Sequence, residues 1–351
     1  MSDHCIMHIF RLRLFLLSLI AILVIGACSD RSPPQPQSAI SPPPNCRMVP
    51  HELGETKICG QPQRVAVLSP HILDSILSLG VQPIAYAEAS TLNLRKFDRP
   101  EQQIPFLGRY VTTQPINVGN RDNPSLELLT QLKPDLILGE SWTSKKHYDL
   151  LSKIAPTLLF SDVGMNDDQH WKHSIGGIAK ALGREQQAQQ LLENYPQQTA
   201  LARKELAPVV AAYPKVLVIH SNRLSNSIAM ADDSKAADML RAIGFEIISP
   251  EDVSLKSGAN VQVSLEILPQ IETDLIFVLA WSEELYDPQL EIEQQWSKTP
   301  LLRQMQAFKN GQVFFVDYQL WGSVTRGPIT DQLILEKLPP LLLPLMEKTD
   351  P

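Results

Sequence analysis

Residues 124–139 read PSLELLTQLKPDLILG, and residues 263–278 read VSLEILPQIETDLIFV. Laid one over the other without a gap, they put Ser125-Leu126-Glu127 on Ser264-Leu265-Glu266 and Asp135-Leu136-Ile137 on Asp274-Leu275-Ile276. In each copy, apolar residues at helical spacing run into a short apolar stretch, the pattern of a helix leading into a buried strand. The same unit returning 139 positions later predicts two similar lobes.

The segments around each copy fit that expectation. Before the first copy, RVAVLS (64–69) is a short β-branched run, and HILDSILSLG (71–80) has helical spacing that stops at Gly80. QPIAYAEA (82–89) reads as a strand, PFLG (105–108) and INVG (116–119) as strand ends, KKHYDLLSKIA as a helix and PTLLFSD as a strand. The second half repeats the programme with KVLVIHS, the helix DDSKAADMLRAIGF ending at Gly244, EIISP, DLIFVLAW, the helix LLRQMQAF and the strand GQVFFVD. Strands alternating with helices imply mainly parallel sheets covered on both faces. Between the halves, residues 184–212 are rich in Ala, Gln, Leu and Glu and read as one long connecting helix. Gly183 separates it from the last helix of the first lobe, which starts near His170 and His173, and Pro196 is expected to kink or break it. The predicted class is α/β: a first lobe over 46–183, the connector over 184–212 and a second lobe over 213–351.

Arg11 and Arg13 precede an uncharged apolar run from Leu14 to Ile25, closed by Ile25-Gly26-Ala27-Cys28. A run of about twelve residues is short of the roughly twenty that a bilayer core requires, so residues 1–27 read as a signal peptide ending in a lipobox. Cys28 is then the lipid anchor, on the outer face of a bacterial cell membrane; Met7 is an equally good start. Residues 28–45 contain six prolines and form a tether. Of four cysteines, Cys46 and Cys59 are left, and in an exported chain such a pair reads as a disulfide closing a ribbon that turns at Gly54. The alternative, a metal pair, lacks a second pair of ligands nearby. Without residues 1–27 the chain has 29 Lys and Arg against 37 Asp and Glu, a formal charge of −8, which argues against nucleic acid as a partner.

The order of these segments, from the lipobox and tether through RVAVLSPHILDSILSLGV, SLELLTQLKPDLILG, the connector, SLEILPQIETDLIFV and KNGQVFFVD, resembles the periplasmic substrate-binding proteins of ferric siderophore and cobalamin ABC importers. The stretches QPINVGNRDNPSLE and LWGSVTRGP are similar to the ferric-siderophore or ferric-citrate binders of cyanobacterial type. The resemblance implies the helical-backbone metal-receptor fold, a monomer with no cofactor, and a ferric siderophore or citrate-like chelate held between the lobes and delivered to a permease dimer with its ATPase. It further implies that Glu127 and Glu266, one per lobe, dock on arginines of the two permease subunits. The bland alternative for each is an acid near a helix start.

Ligands of open parallel sheets meet the loops after the carboxyl ends of strands. That rule selects Ser69, His71, Glu88, Arg109, Tyr110, Trp142, Arg223, Trp281, Tyr318, Trp321 and Arg326 as ligand contacts. Together they describe a cleft with aromatic walls and arginine forks, suited to a chelate bearing carboxylates. His71 and His220 each follow the first strand of a lobe, with Glu88, Glu140 and Asp317 also at strand ends, so direct divalent-metal binding, or haem or cobalamin with an axial Tyr or His, is the alternative. No G-x-S-x-G, H-E-x-x-H or G-x-x-x-x-G-K-[ST] occurs, and an enzyme is not expected.

Overall fold

The structure, a computed structural model, describes residues 45–161, 170–221, 227–253, 261–281, 288–322 and 324–347. Cys28, the signal segment and Arg223 lie outside the described residues. The chain from Cys46 on is one compact unit.

It opens with a hairpin, β1 (Cys46–His51) against β2 (Gly54–Cys59), in which Cys46 faces Cys59 and is bonded to it. Arg47 fastens this ribbon to the body by donating to the carbonyls of Lys180, Ala181 and Gly60. The first lobe follows as β3 (Val65–Val67), α1 (Pro70–Ser78), β4 (Ala85–Glu88), β5 (Ile116–Asn120), β6 (Asn123–Pro124), α2 (Leu126–Leu132), β7 (Leu136–Glu140), α3 (Tyr148–Ile154), β8 (Thr157–Phe160) and α4 (His170–Leu182). Its sheet order is β6-β5-β4-β3-β7-β8, parallel except for β6. The connector is α5 (Glu185–Ala212). The second lobe holds β9 (Lys215–Ser221), β10 (Ser227–Met230), α6 (Lys235–Ile243), β11 (Glu246–Ile247), β12 (Gln262–Ser264), β13 (Leu275–Ala280), α7 (Pro288–Lys298), β14 (Val313–Asp317) and α8 (Pro328–Leu342). Its main order is β12-β10-β9-β13-β14; β11 runs parallel beside the start of β9, and β10 is antiparallel to both its neighbours.

Both sheets are covered on two faces because their central strands carry continuous apolar runs, such as Val65–Leu68 and Val216–Ile219. Val65 and Val67 enter one core, Ala66 and Leu68 another; in the second lobe Val216 and Val218 divide from Leu217 and Ile219 in the same way. The repeat pins these strands. Asp135 accepts the N–H groups of Gln63 (2.7 Å) and Arg64 (2.9 Å) just before β3, and Asp274 accepts that of Lys215 (2.9 Å) at the start of β9. The helical half of the repeat does not survive in the second copy. Ser125 caps α2 through the Leu128 N–H, whereas Pro269 stands where the first copy has Thr130. A proline there has no N–H and crowds the carbonyl four residues back, and residues 268–270 form only a 3-10 turn. LLRQMQAF likewise breaks into two short helices, Pro300–Arg303 and Gln306–Lys309.

Helix α5 is unbroken despite Pro196 and Pro208. Its buried residues, Ala188, Tyr195, Thr199, Ala202, Leu206 and Val209, form a single stripe at three- and four-residue spacing after Tyr195. Both prolines are on the exposed side, where the lost helical hydrogen bonds do not disturb the packed face. The stripe's first half packs in the first lobe's core and its second half in the second lobe's.

A second tie crosses between the lobes. Helix α8 starts at Gly327 and Pro328, which offer no side-chain cap. Asp74 of α1 supplies one from the other lobe: its carboxylate accepts the Ile329 N–H (2.9 Å), the Thr330 N–H (2.9 Å) and the Thr330 hydroxyl (2.8 Å). A Cβ on Gly327 would lie 2.2 Å from Asp74 Cγ, so only glycine admits the carboxylate. Lys235 of α6 sets its ammonium 2.8 Å from Asp331 and donates to the Thr330 hydroxyl (2.6 Å), and the Trp171 indole of α4 donates to Asp331 at 2.7 Å. Ile329 packs against the cores of both lobes.

Burial pushes the Asp74 carboxyl up to about 6 against the pull of Lys235 and its three hydrogen bonds. A raised acid favours the folded state most below its unfolded value near 3.8 and loses that contribution as pH rises through about 6. The difference amounts to about 3 kcal/mol. Denaturant melts of Asp74→Asn across pH 4 to 7 should therefore lack this falling component, and an unchanged pH dependence would refute the assignment.

Candidate functional site

The carboxyl ends of the central strands converge where the two lobes face each other. On the first lobe, β7 ends in Glu140, which is buried, and the next turn carries Trp142, 48% exposed. The Trp142 indole donates to Glu140 Oε1 at 2.9 Å, which fixes the ring at the mouth of the cleft. His71, in the first turn of α1, sets Nδ1 3.2 Å from the same oxygen, although off the line of a well-formed hydrogen bond. Burial raises the Glu140 carboxyl, but His71, Arg121 and the indole outweigh it and hold it at about 2. Burial lowers the His71 ring, with Glu140 opposing and Arg326 and Arg121 adding to the fall.

Arg121 lies just past β5 and is tied down by its backbone N–H, which donates to the Glu88 carbonyl at 2.8 Å. Its guanidinium stacks over the Trp142 ring, 4.7 Å from the centroid. Its Nε and Nη1 are buried without a protein partner. An arginine in that state is expensive unless something accepts from it. Glu88, beneath it, is buried with both oxygens engaged, by the Tyr86 hydroxyl (2.9 Å) and the Ala89 N–H (2.7 Å). Burial raises this carboxyl, and the two hydrogen bonds and Arg121 oppose the rise.

From the second lobe, Tyr318 follows β14 and its ring lies 4.6 Å from that of His220 at the end of β9. Nε2 of His220 and Oγ of Ser221 are buried without a hydrogen-bond partner. Burial lowers the His220 ring and raises the Tyr318 hydroxyl, the latter opposed by Arg326 and Arg121. Arg326, half-buried ahead of α8, thus acts on Tyr318 and on His71 together with Arg121. Two guanidiniums from opposite lobes share one cleft, with aromatic rings beside them and carboxylates buried behind. The arrangement suits an anion with flat or polar edges.

Residues 65–320 match the periplasmic binding protein family. The chain belongs to it. Among its relatives, the Fe(3+)-citrate-binding protein YfmC of Bacillus subtilis is 28% identical over 307 residues, covering 86% of this chain and 88% of the relative. The ferric-anguibactin-binding protein FatB of Vibrio anguillarum is 28% identical over 297 residues, covering 82% and 84%. Staphylococcus aureus SirA, solved in complex with staphyloferrin B, superposes with a TM-score of 0.66 at 27% identity, covering 85% of this chain and 98% of that one. As a periplasmic binding protein the chain has the α/β architecture expected of it: two sheets of mainly parallel strands and one long helix between them.

Within this periplasmic binding protein, His71, Glu88, Trp142, Tyr318 and Arg326 come together, and Trp281 stands half-buried just past β13, its backbone N–H on the Ser221 carbonyl. Ser69 is buried and engaged as the cap of α1, accepting from the Ile72 N–H. Trp321 is 3% exposed and packs on Phe277, so it belongs to the core and not to the cleft. Arg109 and Tyr110 are displaced furthest. PFLG is not a strand but a turn, with Phe106 at φ 58° and a 3-10 turn over Gly108–Tyr110. The Tyr110 carbonyl binds Gln82, ahead of β4, which places this segment at the amino ends of the strands, away from Glu88. Arg121 escaped the sequence reading, although it stands just past the INVG run in the quoted QPINVGNRDNPSLE. Among the described residues no group of three or more His, Cys, Asp or Glu is arranged to hold a metal ion. His71 pairs with Glu140, and His220 with Tyr318.

Proposed function

We propose that this protein is the substrate-binding component of an ABC importer and captures a ferric siderophore or ferric citrate-like chelate in the cleft between its lobes. The observation that carries the reading is Arg121, a half-buried guanidinium stacked on an exposed tryptophan, with its buried Nε and Nη1 unmet and Arg326 in the same cleft. Carboxylates of a ferric chelate satisfy the open donors of Arg121 beside the charge of Arg326, and the Trp142 face covers the chelate's planar edge. The binding of Fe(3+)-citrate by one relative and of ferric anguibactin by another supports the same substrate class. The chain binds and hands over its ligand without turnover.

Delivery uses Glu127 and Glu266. Both side chains are exposed, one from each lobe, and each stands two residues after the serine of its repeat. Charges so placed steer and register a partner more than they tighten it. Cys28, at the end of the lipobox, carries the lipid that keeps the protein at the outer face of the cell membrane.

Titrating the chain from Cys46 onward with ferric citrate, ferric hydroxamates, haem, cobalamin and zinc should give saturable quenching of tryptophan fluorescence by a ferric carboxylate chelate. Arg121→Ala should weaken it by about 10- to 100-fold, the worth of a charge-assisted hydrogen bond. Saturation by zinc or haem alone would overturn the substrate class. The double substitution Glu127→Ala, Glu266→Ala should leave chelate affinity as it is and lower iron uptake by cells; unimpaired uptake would remove the docking role.

A further inference from the structure

We propose that Asp74 is a positioning residue for Arg326: a carboxylate of the first lobe sets where the second lobe's arginine stands in the cleft. The inference rests on the reading of Arg326 as a chelate contact. Arg326 is the residue immediately before the Gly327 that opens α8, and the chain is held on both sides of it. On its carboxyl side, the three hydrogen bonds from Ile329 and Thr330 tie the first turn of α8 to Asp74. On its amino side, Lys235 donates through its ammonium to the Thr325 carbonyl at 3.4 Å and through its backbone N–H to the Gly322 carbonyl at 3.2 Å. The Thr330 hydroxyl joins the two anchors, accepting from Lys235 and donating to Asp74.

The other end of this arrangement reaches the first lobe's half of the cleft. Asp74 and His71 lie three residues apart on α1, so they share one face of the helix. His71 meets Glu140, which in turn holds the Trp142 indole. One buried helix therefore carries both a wall of the cleft and the anchor of the opposite wall. The distance between Arg121 and Arg326 is thus built from a few buried hydrogen bonds and not from surface contacts, and it selects the span between carboxylates that a chelate must offer. A guanidinium held in place in advance loses less on binding than one that must be ordered by its ligand.

The test is a double-mutant cycle read by tryptophan fluorescence on the full chain in detergent, with ferric citrate as the probe. Asp74→Asn should weaken binding by about tenfold in the wild-type background and by less than about twofold when Arg326→Ala is already present, since the two act through one contact. A loss from Asp74→Asn that keeps its full size beside Arg326→Ala makes Asp74 a stability residue only and overturns the proposal, as does a loss-free Asp74→Asn when Arg326→Ala weakens binding. An Arg326→Ala variant that binds like wild type, or a wild type that does not saturate, sinks the cleft reading itself and the proposal with it. Should Asp74→Asn not fold, Thr330→Val takes its place, removing the hydroxyl between the anchors while keeping both backbone donors. It should cost about threefold, and again only while Arg326 is present.

Discussion

An α-helix begins with N–H groups that its own turns cannot satisfy, and α8 begins on glycine and proline, which have no side-chain acceptor to offer. The carboxylate that meets those groups comes from the opposite lobe. Asp74 is therefore not an accessory to two preformed lobes: α8 has a satisfied end only when α1 is beside it. Lys235, Asp331 and Trp171 extend the same junction, so that every charge buried there has a partner of opposite sign or a donor aimed at it. Replacing a buried pair with apolar residues is often harmless to stability, whereas removing one member is not. What the polar junction adds is registry, because a hydrogen-bonded carboxylate accepts one position and an oily seam accepts many.

The cleft follows the same logic in a second place. Glu88 and Glu140 are buried and committed to Tyr86, Ala89, Trp142 and His71. Arg121 is close enough to pull on both carboxyls. Their charge reduces what it costs to keep Arg121 out of water, while its Nε and Nη1 stay available. The aromatic face of Trp142 holds the guanidinium plane from the other side. An anion entering this cleft would meet donors already aimed and already desolvated.

The repeat made the two-lobed α/β plan readable because burial on both sheet faces forces continuous apolar runs, and those are visible in a string of letters. Its aspartates had a meaning that the letters conceal: each stands just ahead of its own strand and ties the start of the neighbouring strand, β3 or β9. Local chemistry decided where the reading failed. Pro269 breaks the second helix, and Phe106 turns a presumed strand end into a bend that carries Arg109 and Tyr110 to the wrong end of the sheet. Trp321 lies past a strand like Tyr318, yet its ring turns inward onto Phe277, a choice set by packing and not by position. Arg121 was within reach of the strand-end rule. Only its missing partners mark it out, and a missing partner is a property of three dimensions.

The stripe along α5 has a consequence for how this chain tolerates change. Its six buried positions serve one lobe and then the other from a single face. Substitutions on the opposite face, prolines included, leave that face intact. One codon inserted or deleted between Tyr195 and Ala202 is another matter: it turns everything beyond it by about 100° and shifts it by about 1.5 Å along the axis. The second lobe would then present a different side to the first, and no repacking within either lobe restores the match. The connector is permissive in letters and strict in length, so that insertions belong in the loops of the lobes and not in the rod that joins them.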